Sequence, residues 1–235
     1  MGGEMISMNY FKNPHNESDM LVAIFNQQRS HMEVYAQIED ENGLLQTPDI
    51  PVNLQDKFGQ ARLKDFAWRI TEEIGEALND LYLDPNSRSY FEELSDVLHF
   101  LTEFTILAGY RPEDLIREPV NKKVDYLEEL YNQTEIATKH LDFYWFTYND
   151  IAFLVAEFIR ELSMLCNLLK NKPWKRSVAQ GKLKETDPFK FKKQLINVWE
   201  KFIHICLTSG IGPQNLYKLY FHKSDKNKKR QETGY

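Results

Sequence analysis

Glu73 and Glu76 lie three residues apart, and Glu93 and Asp96 repeat that spacing after a gap of sixteen residues. On a helix this spacing sends both side chains of a pair from one face. Two such helices, antiparallel across a short break, bring four carboxylates to one point between them. Burying four like charges costs more than packing returns unless cations compensate. Hard, oxygen-seeking ions such as Mg²⁺ suit this donor set, and Mg²⁺ commonly bridges to substrate phosphates. A lone Glu-x-x-Glu is ordinarily a solvated helix face. Here Gly75 separates the first pair, where glycine costs a helix about 1 kcal/mol, and the missing side chain makes room for a neighbouring helix or a ligand. Glu93 and Asp96 sit in Phe91–Phe100, FEELSDVLHF, among apolar residues rather than on a uniformly polar face.

The elements that must hold these acids are helical. Ser18 to Glu39 begins at a candidate N-cap, Ser18, and puts Leu21, Ile24, Phe25, Gln28, Met32 and Tyr35 near one stripe. Residues 42–60 carry two prolines and two glycines without a period and read as a loop. Asp65–Leu83 is a second helix, stopped at Asp84-Pro85-Asn86-Ser87, and Ser89–Ala108 is a third, closed by Gly109. Further helices fit Pro112–Glu118, Val120–His140, Asp150–Lys170, Pro188–Ser209 and Pro213–Tyr220. The aromatic run Leu141–Tyr148 has β propensity but no partner run, and Asn171–Glu185 is a basic loop. Gly109-Tyr-Arg-Pro112 and Gly210-Ile-Gly-Pro213 are matching corners, a helix stop followed by a restart at proline, and they suggest two similar helical hairpins. The fold class expected is an all-α helical bundle.

Composition removes other classes. Of 235 residues, 42% are apolar and 27% charged, enough for a core and against global disorder. Cys166 and Cys206, both in apolar runs, read as reduced buried thiols, not as a disulfide framework or a zinc cluster. The start, MGGEMISMNYFKNPHNESD, has no basic head or apolar centre, so no signal peptide is expected. Asp150–Lys170 carries Glu157, Arg160 and Glu161 mid-run, which argues against a membrane span. Asp96 and His99 have the carboxylate-x-x-histidine spacing of di-iron bundles, but such a site needs two Glu-x-x-His elements and only one imperfect copy is present. Charge is uneven: residues 1–169 hold 13 Lys/Arg against 30 Asp/Glu, and residues 170–235 hold 16 against 5. An acidic body with a basic end suits a polyanion carried with its cation. The competing reading is a non-catalytic helical scaffold that binds nucleotides or nucleic acid through the basic segment 170–184.

The basic end is also patterned. Lys223, Asn227, Arg230, Gln231, Gly234 and Tyr235 spell K-x-x-x-N-x-x-R-Q-x-x-G-Y. Read without context, such a run is a frayed, solvated terminus; as a clamp, lysine supplies point charge to phosphates and arginine a planar fork. With E-x-x-E and E-x-x-D, with Asp96-Val-Leu-His99-Phe100, and with a helical glutamine at Gln27 or Gln28, the chain resembles the all-α nucleoside triphosphate pyrophosphatases. That is the superfamily of MazG and the dimeric dUTPases, and the match is closest to the dimeric dUTPases and phage dCTPase-dUTPases.

The resemblance implies a single domain over residues 1–235, its core at about 18–115 and 188–235 and a helical cap-like insertion at about 116–187. It implies Mg²⁺-dependent hydrolysis of dUTP, dCTP or both to the monophosphate and pyrophosphate. Glu73, Glu76, Glu93 and Asp96 would hold two or three Mg²⁺ ions, with Glu73 or Glu76 as the catalytic base. Lys223, Asn227, Arg230, Gln231 and Tyr235 would grip the phosphates. Gln27, Gln28, His31, His99 and Phe100 would surround base and sugar, with Phe66 or Trp68 stacking on the base. His31 stands four residues after Gln27, where relatives are expected to carry Asn or Gln. A homodimer working in the cytoplasm, the host's if the protein is viral, completes the expectation; neither a membrane nor nucleic acid is an expected partner.

Overall fold

The computed structural model describes residues 19–43, 49–84, 87–119, 124–139, 147–172, 174–176 and 185–233, and statements of absence refer to these residues. They form seven α-helices and one 3-10 turn, with no strand. In chain order these are α1 (Met20–Glu41), α2 (Lys57–Leu83), α3 (Arg88–Leu107), the turn Pro112–Leu115, α4 (Tyr126–Thr138), α5 (Tyr148–Leu168), α6 (Pro188–Thr208) and α7 (Pro213–Glu232).

Aspartates start most of them, because a helix leaves its first amides unpaired and a short carboxylate reaches back to them. Asp19 caps α1; Ser18, the expected cap, lies outside the described residues. Asp56 accepts from the amides of Phe58 and Gly59, so α2 begins two turns earlier than its hydrophobic period suggested, inside the expected loop 42–60. Those two turns are held from outside. A Cβ on Gly59 would lie 2.4 Å from the Asn53 carbonyl oxygen, and Gln60 donates to the Leu54 carbonyl and to Thr186 while accepting from the Asn171 amide. Asp125 caps α4, Asp187 caps α6, and Thr147 with Asp150 forms a capping box that opens α5. Tyr148, read as the end of a β-prone aromatic run, is therefore helical; residues 141–146 of that run are outside the described residues.

The starts of α1 and α4 are joined. Asp19 also accepts from the Tyr126 amide at 2.8 Å, and Asp125 accepts from the Met20 amide at 2.6 Å. Each aspartate thus serves both helices.

α2 and α3 form an antiparallel hairpin, α5 and α6 a second, and one hydrophobic core joins them. Phe25, Ile74, Leu98, Phe104, Phe158, Trp199, Phe202 and Tyr220 are fully or almost fully buried in it. The Trp199 indole donates to Thr105, which satisfies its one polar atom in the middle of the core. Leu127, Leu130, Ile151 and Leu154, from the segment 116–187, belong to the same core. Cys206 is buried and Cys166 half-buried, both free thiols. Among the described residues no helix is long and apolar enough to cross a membrane.

The largest departure from expectation is α7. The sequence period ends the helix at Tyr220 and leaves the basic tail, frayed or as a clamp, beyond it, yet the helix continues to Glu232. Propensity alone does not hold it. Lys223 pairs with Asp96, Lys226 with Glu92, and Ser224 with His31, so side-chain partners on α1 and α3 keep the basic turns helical.

Candidate active site

The acids do meet. One oxygen each from Glu73, Glu76 and Glu93 lies within 4.8 Å of the others. Asp96, one turn along α3, is engaged by the Lys223 ammonium at 2.5 Å, with both side chains largely buried. Glu73 and Glu93 share a side-chain hydrogen bond, which requires a proton between them. Burial, then the charges of Asp96 and Glu93, push the Glu73 carboxyl up to about 8. Burial also raises Glu93 and Asp96, and in both Lys223 works against the rise. Burial works against the Lys223 ammonium in turn, yet Asp96, Glu93 and Glu92 keep its pKa above the ordinary lysine value. This is negative charge gathered beyond what the chain's own cations neutralise.

Gly75 does not bring a neighbour close. A Cβ there would meet nothing within 4 Å, because the residue sits on the outer face of α2. Trp68 shares that outer face: it is 62% exposed and donates to Glu72. Phe66 and Phe100 instead face each other at 6.2 Å, about two turns from the Glu73–Glu93 contact. They floor a cleft of about 260 Å³ between α1, α2 and α3 whose walls include Tyr35, Arg62, Arg69 and Glu103. Arg62 stacks over Phe66 while bound through both oxygens to Glu39, and Arg69 lies over both phenylalanine rings.

Beneath the cleft the expected glutamine and histidines are buried and interlinked. Gln28 donates to Glu103 at 2.8 Å and accepts from the Tyr220 hydroxyl at 2.8 Å. His31 bonds Ser224 and Gln27 through Nε2, and burial lowers its pKa. His99 stacks on Tyr220 with centroids 4.0 Å apart and donates from Nδ1 to the Ser95 carbonyl. Burial pushes it down to about 3, so the ring is neutral and Nε2 is an acceptor with no partner among the described residues.

Lys223, Asn227 and Arg230 line one face of α7 at i, i+4 and i+7, starting from the acid cluster, and Gln231 bonds Tyr35 at the cleft wall. Tyr235 lies outside the described residues. One helix therefore touches both the acids, through Lys223, and the buried residues beneath the cleft, through Tyr220. From residue 55 to residue 235 the chain matches the sequence profile of the dUTPase family. The chain belongs to that family. No curated protein and no solved structure matches it.

In this dUTPase-family chain several site residues escaped the motif reading. Glu103 has the clearest signal, because Asp96, His99 and Glu103 stand at i, i+3 and i+7 on one face of α3. Its carboxyl is 4% exposed, and burial pushes it up to about 7 against the pull of Gln28, Arg62 and Arg69. Tyr220, one turn before Lys223, and Ser224, next to it, carried only the signal of their position.

Proposed function

We propose that the chain hydrolyses a pyrimidine deoxynucleoside triphosphate, dUTP, dCTP or both, to the monophosphate and pyrophosphate in a Mg²⁺-dependent reaction. The observation that carries this reading is the three-carboxylate cluster beside Asp96–Lys223 and about two helix turns away from an aromatic cleft. The donor set fits the ion: hard oxygens only, within reach of one another, with a Glu73 carboxyl whose raised pKa reports charge that a divalent cation relieves. Glu73, Glu76, Glu93 and Asp96 hold two or three Mg²⁺ ions in this reading. Bound Mg²⁺ neutralises phosphate oxygens and acidifies a coordinated water.

The chain's own residues do the rest. Glu73, within reach of Glu76 and Glu93, is the base in this reading, taking a proton from the attacking water and releasing it later. Lys223, Asn227 and Arg230 offer an ammonium, an amide and a guanidinium along one helix face to the phosphates, with Gln231 supporting them and Tyr235 completing the motif. Phe66 and Phe100 take the base, with Gln27, Gln28, His31 and His99 around base and sugar. The catalytic set comes from the parts expected as the core, 18–115 and 188–235. Exposed Trp68, Tyr82 and Leu83 on α2 and Phe153 on α5 support a homodimer as the working form.

The test is a panel of deoxy- and ribonucleoside triphosphates, each incubated with Mg²⁺ or with EDTA, with pyrophosphate and monophosphate both quantified. dUTP or dCTP should yield equal amounts of the two products with Mg²⁺ and none with EDTA. Binding of nucleotide without product would instead favour the non-catalytic scaffold.

A further inference from the structure

Glu103 is an expensive residue for its place. It projects from α3 in the run LTEFTIL, between Phe100 and Phe104, into a cleft floored by two aromatic rings. A nearly buried carboxyl in such surroundings is costly unless hydrogen-bonded or paired. The one hydrogen bond to it among the described residues comes from the Gln28 amide. The guanidiniums of Arg62 and Arg69 favour its charged form from a distance, but Arg62 is spent on both oxygens of Glu39 and Arg69 on Asp65. A core built only for stability has a leucine or methionine here at less cost.

The donors are arranged around it. Gln28 comes from α1 on one side, with its amide orientation fixed because its oxygen accepts from the Tyr220 hydroxyl. Arg62 and Arg69 come from α2 on the other side, above the same rings. A ligand atom group entering over Phe66 and Phe100 thus meets the Glu103 carboxyl as an acceptor in the cleft wall, with the guanidiniums of Arg62 and Arg69 over the same rings. The complement of that acceptor is a donor, which the imide edge of uracil offers at N3–H, between O2 and O4. Cytosine presents an unprotonated N3 in the middle of that edge, facing the carboxylate with a lone pair.

We infer that Glu103 is a specificity-determining residue, its carboxylate accepting the N3–H of a uracil-type imide base and rejecting cytosine. The inference rests on the reading of the chain as a pyrimidine nucleotide hydrolase and narrows it to one base.

The full-length protein and its Glu103→Gln variant are assayed in parallel with dUTP, dCTP and N3-methyl-dUTP, and both are titrated calorimetrically with dUMP and dCMP in EDTA. The amide keeps the shape and can still face Gln28, but it replaces one acceptor by a donor. The expected result is a wild-type kcat/KM for dUTP at least tenfold above that for dCTP, a ratio that falls at least tenfold in E103Q, and at least a tenfold loss on N3 methylation. A residue that merely fills space changes both substrates together and leaves the ratio alone. The inference is overturned by a ratio unchanged within twofold, by N3-methyl-dUTP turning over like dUTP, or by a wild-type preference for dCTP. N3-methyl-dUTP tests the wild type alone, so the inference stays open to refutation if E103Q does not fold. If no nucleotide is hydrolysed but dUMP binds at least tenfold tighter than dCMP in wild type alone, the base reader stands and the hydrolase reading falls; if neither monophosphate is preferred, the inference falls.

Discussion

The hairpins α2–α3 and α5–α6 are built alike and charged differently. Their exits match bond for bond. In α3 the amides of Ala108, Gly109 and Tyr110 reach the carbonyls of Phe104, Ile106 and Thr105; in α6 those of Ser209, Gly210 and Ile211 reach Ile205, Leu207 and Cys206. Gly109 and Gly210 both turn at positive φ, +87° and +72°. The same offset of 101 positions carries Glu93 onto Gln194 and Asp96 onto Asn197. Gln194 bonds Glu161 across the second hairpin as Glu93 bonds Glu73 across the first, and three residues on from Glu161 stands Met164 where the first hairpin has Glu76. The second hairpin is also supplied with fixed cations: Arg160 holds Glu161, and Arg117 holds both Asn197 and Glu200. Two amides, a thioether and two guanidiniums thus neutralise a position that the first hairpin leaves acidic. The second hairpin's Glu161 and Glu200 are thus matched by guanidiniums, whereas the first hairpin gathers Glu73, Glu76 and Glu93 without one.

The contrast is easiest to break with amide substitutions. Glu73→Gln or Glu76→Gln should lower turnover by roughly 10³-fold, the scale of a lost acid–base group, whereas Glu161→Gln should leave kcat/KM within about twofold, both read by pyrophosphate release. Equal losses in the two hairpins would end the distinction. Next in size is the cation. Lys223→Met strips Asp96 of its partner and should cost about 3 kcal/mol of stability in EDTA, the low end for a broken buried pair. Mg²⁺ should recover part of that loss. Lys201→Met, whose partner Glu157 lies at 3.4 Å in a half-buried pair that Arg160 also serves, should cost about 0.5 kcal/mol or less. Denaturant melts of the two variants with and without metal give the comparison.

The corners sharpen it further. Gly210→Ala forces only the left-handed backbone and should cost about 1 kcal/mol. Gly109→Ala adds a Cβ 3.2 Å from that of Pro51 and should cost about 2 kcal/mol, so the first melt should fall less than the second. The last effect is one of pH. The Glu73 carboxyl is raised from 4.5 to about 8, so between those values the folded chain binds more protons than the unfolded one. Its contribution is complete below about 4.5 and is lost as pH rises through 8, and metal-free melting temperatures should drift down from pH 6 to pH 9. Glu73→Gln should flatten that drift. Glu157, held below the usual range by Arg160, drives no decline of its own there.

The acid face of α2 and α3 was legible because its periodicity is local: i, i+3 spacing needs no knowledge of the fold. The same holds for the corners at Gly109 and Gly210. What escaped depends on partners far along the chain. Glu103 answers to Gln28, 75 residues away, and Gln28 to Tyr220, 192 away, so a single polar letter in LTEFTIL carried no visible meaning. The basic turns of α7 looked frayed because the ion pairs to Glu92 and Asp96 that hold them are tertiary. Trp68 shows the reverse error: an aromatic a short distance before the acids looked suited to stacking, but 100° per residue turns it to the outside while Phe66 faces the cleft.

Asp19 and Asp125 act as a hinge pin at the far end of this arrangement. Because each carboxylate is bound to the first amide of the other's helix, α1 cannot slide along its axis without dragging α4, which is seated in the core through Leu127 and Leu130. Gln28 and His31 lie two to three turns downstream on α1, so their height in the bundle is set at that pin. Losing either aspartate would let the wall that carries them drift, so that a change at the start of α1 would be felt at Glu103 and Tyr220, which Gln28 joins.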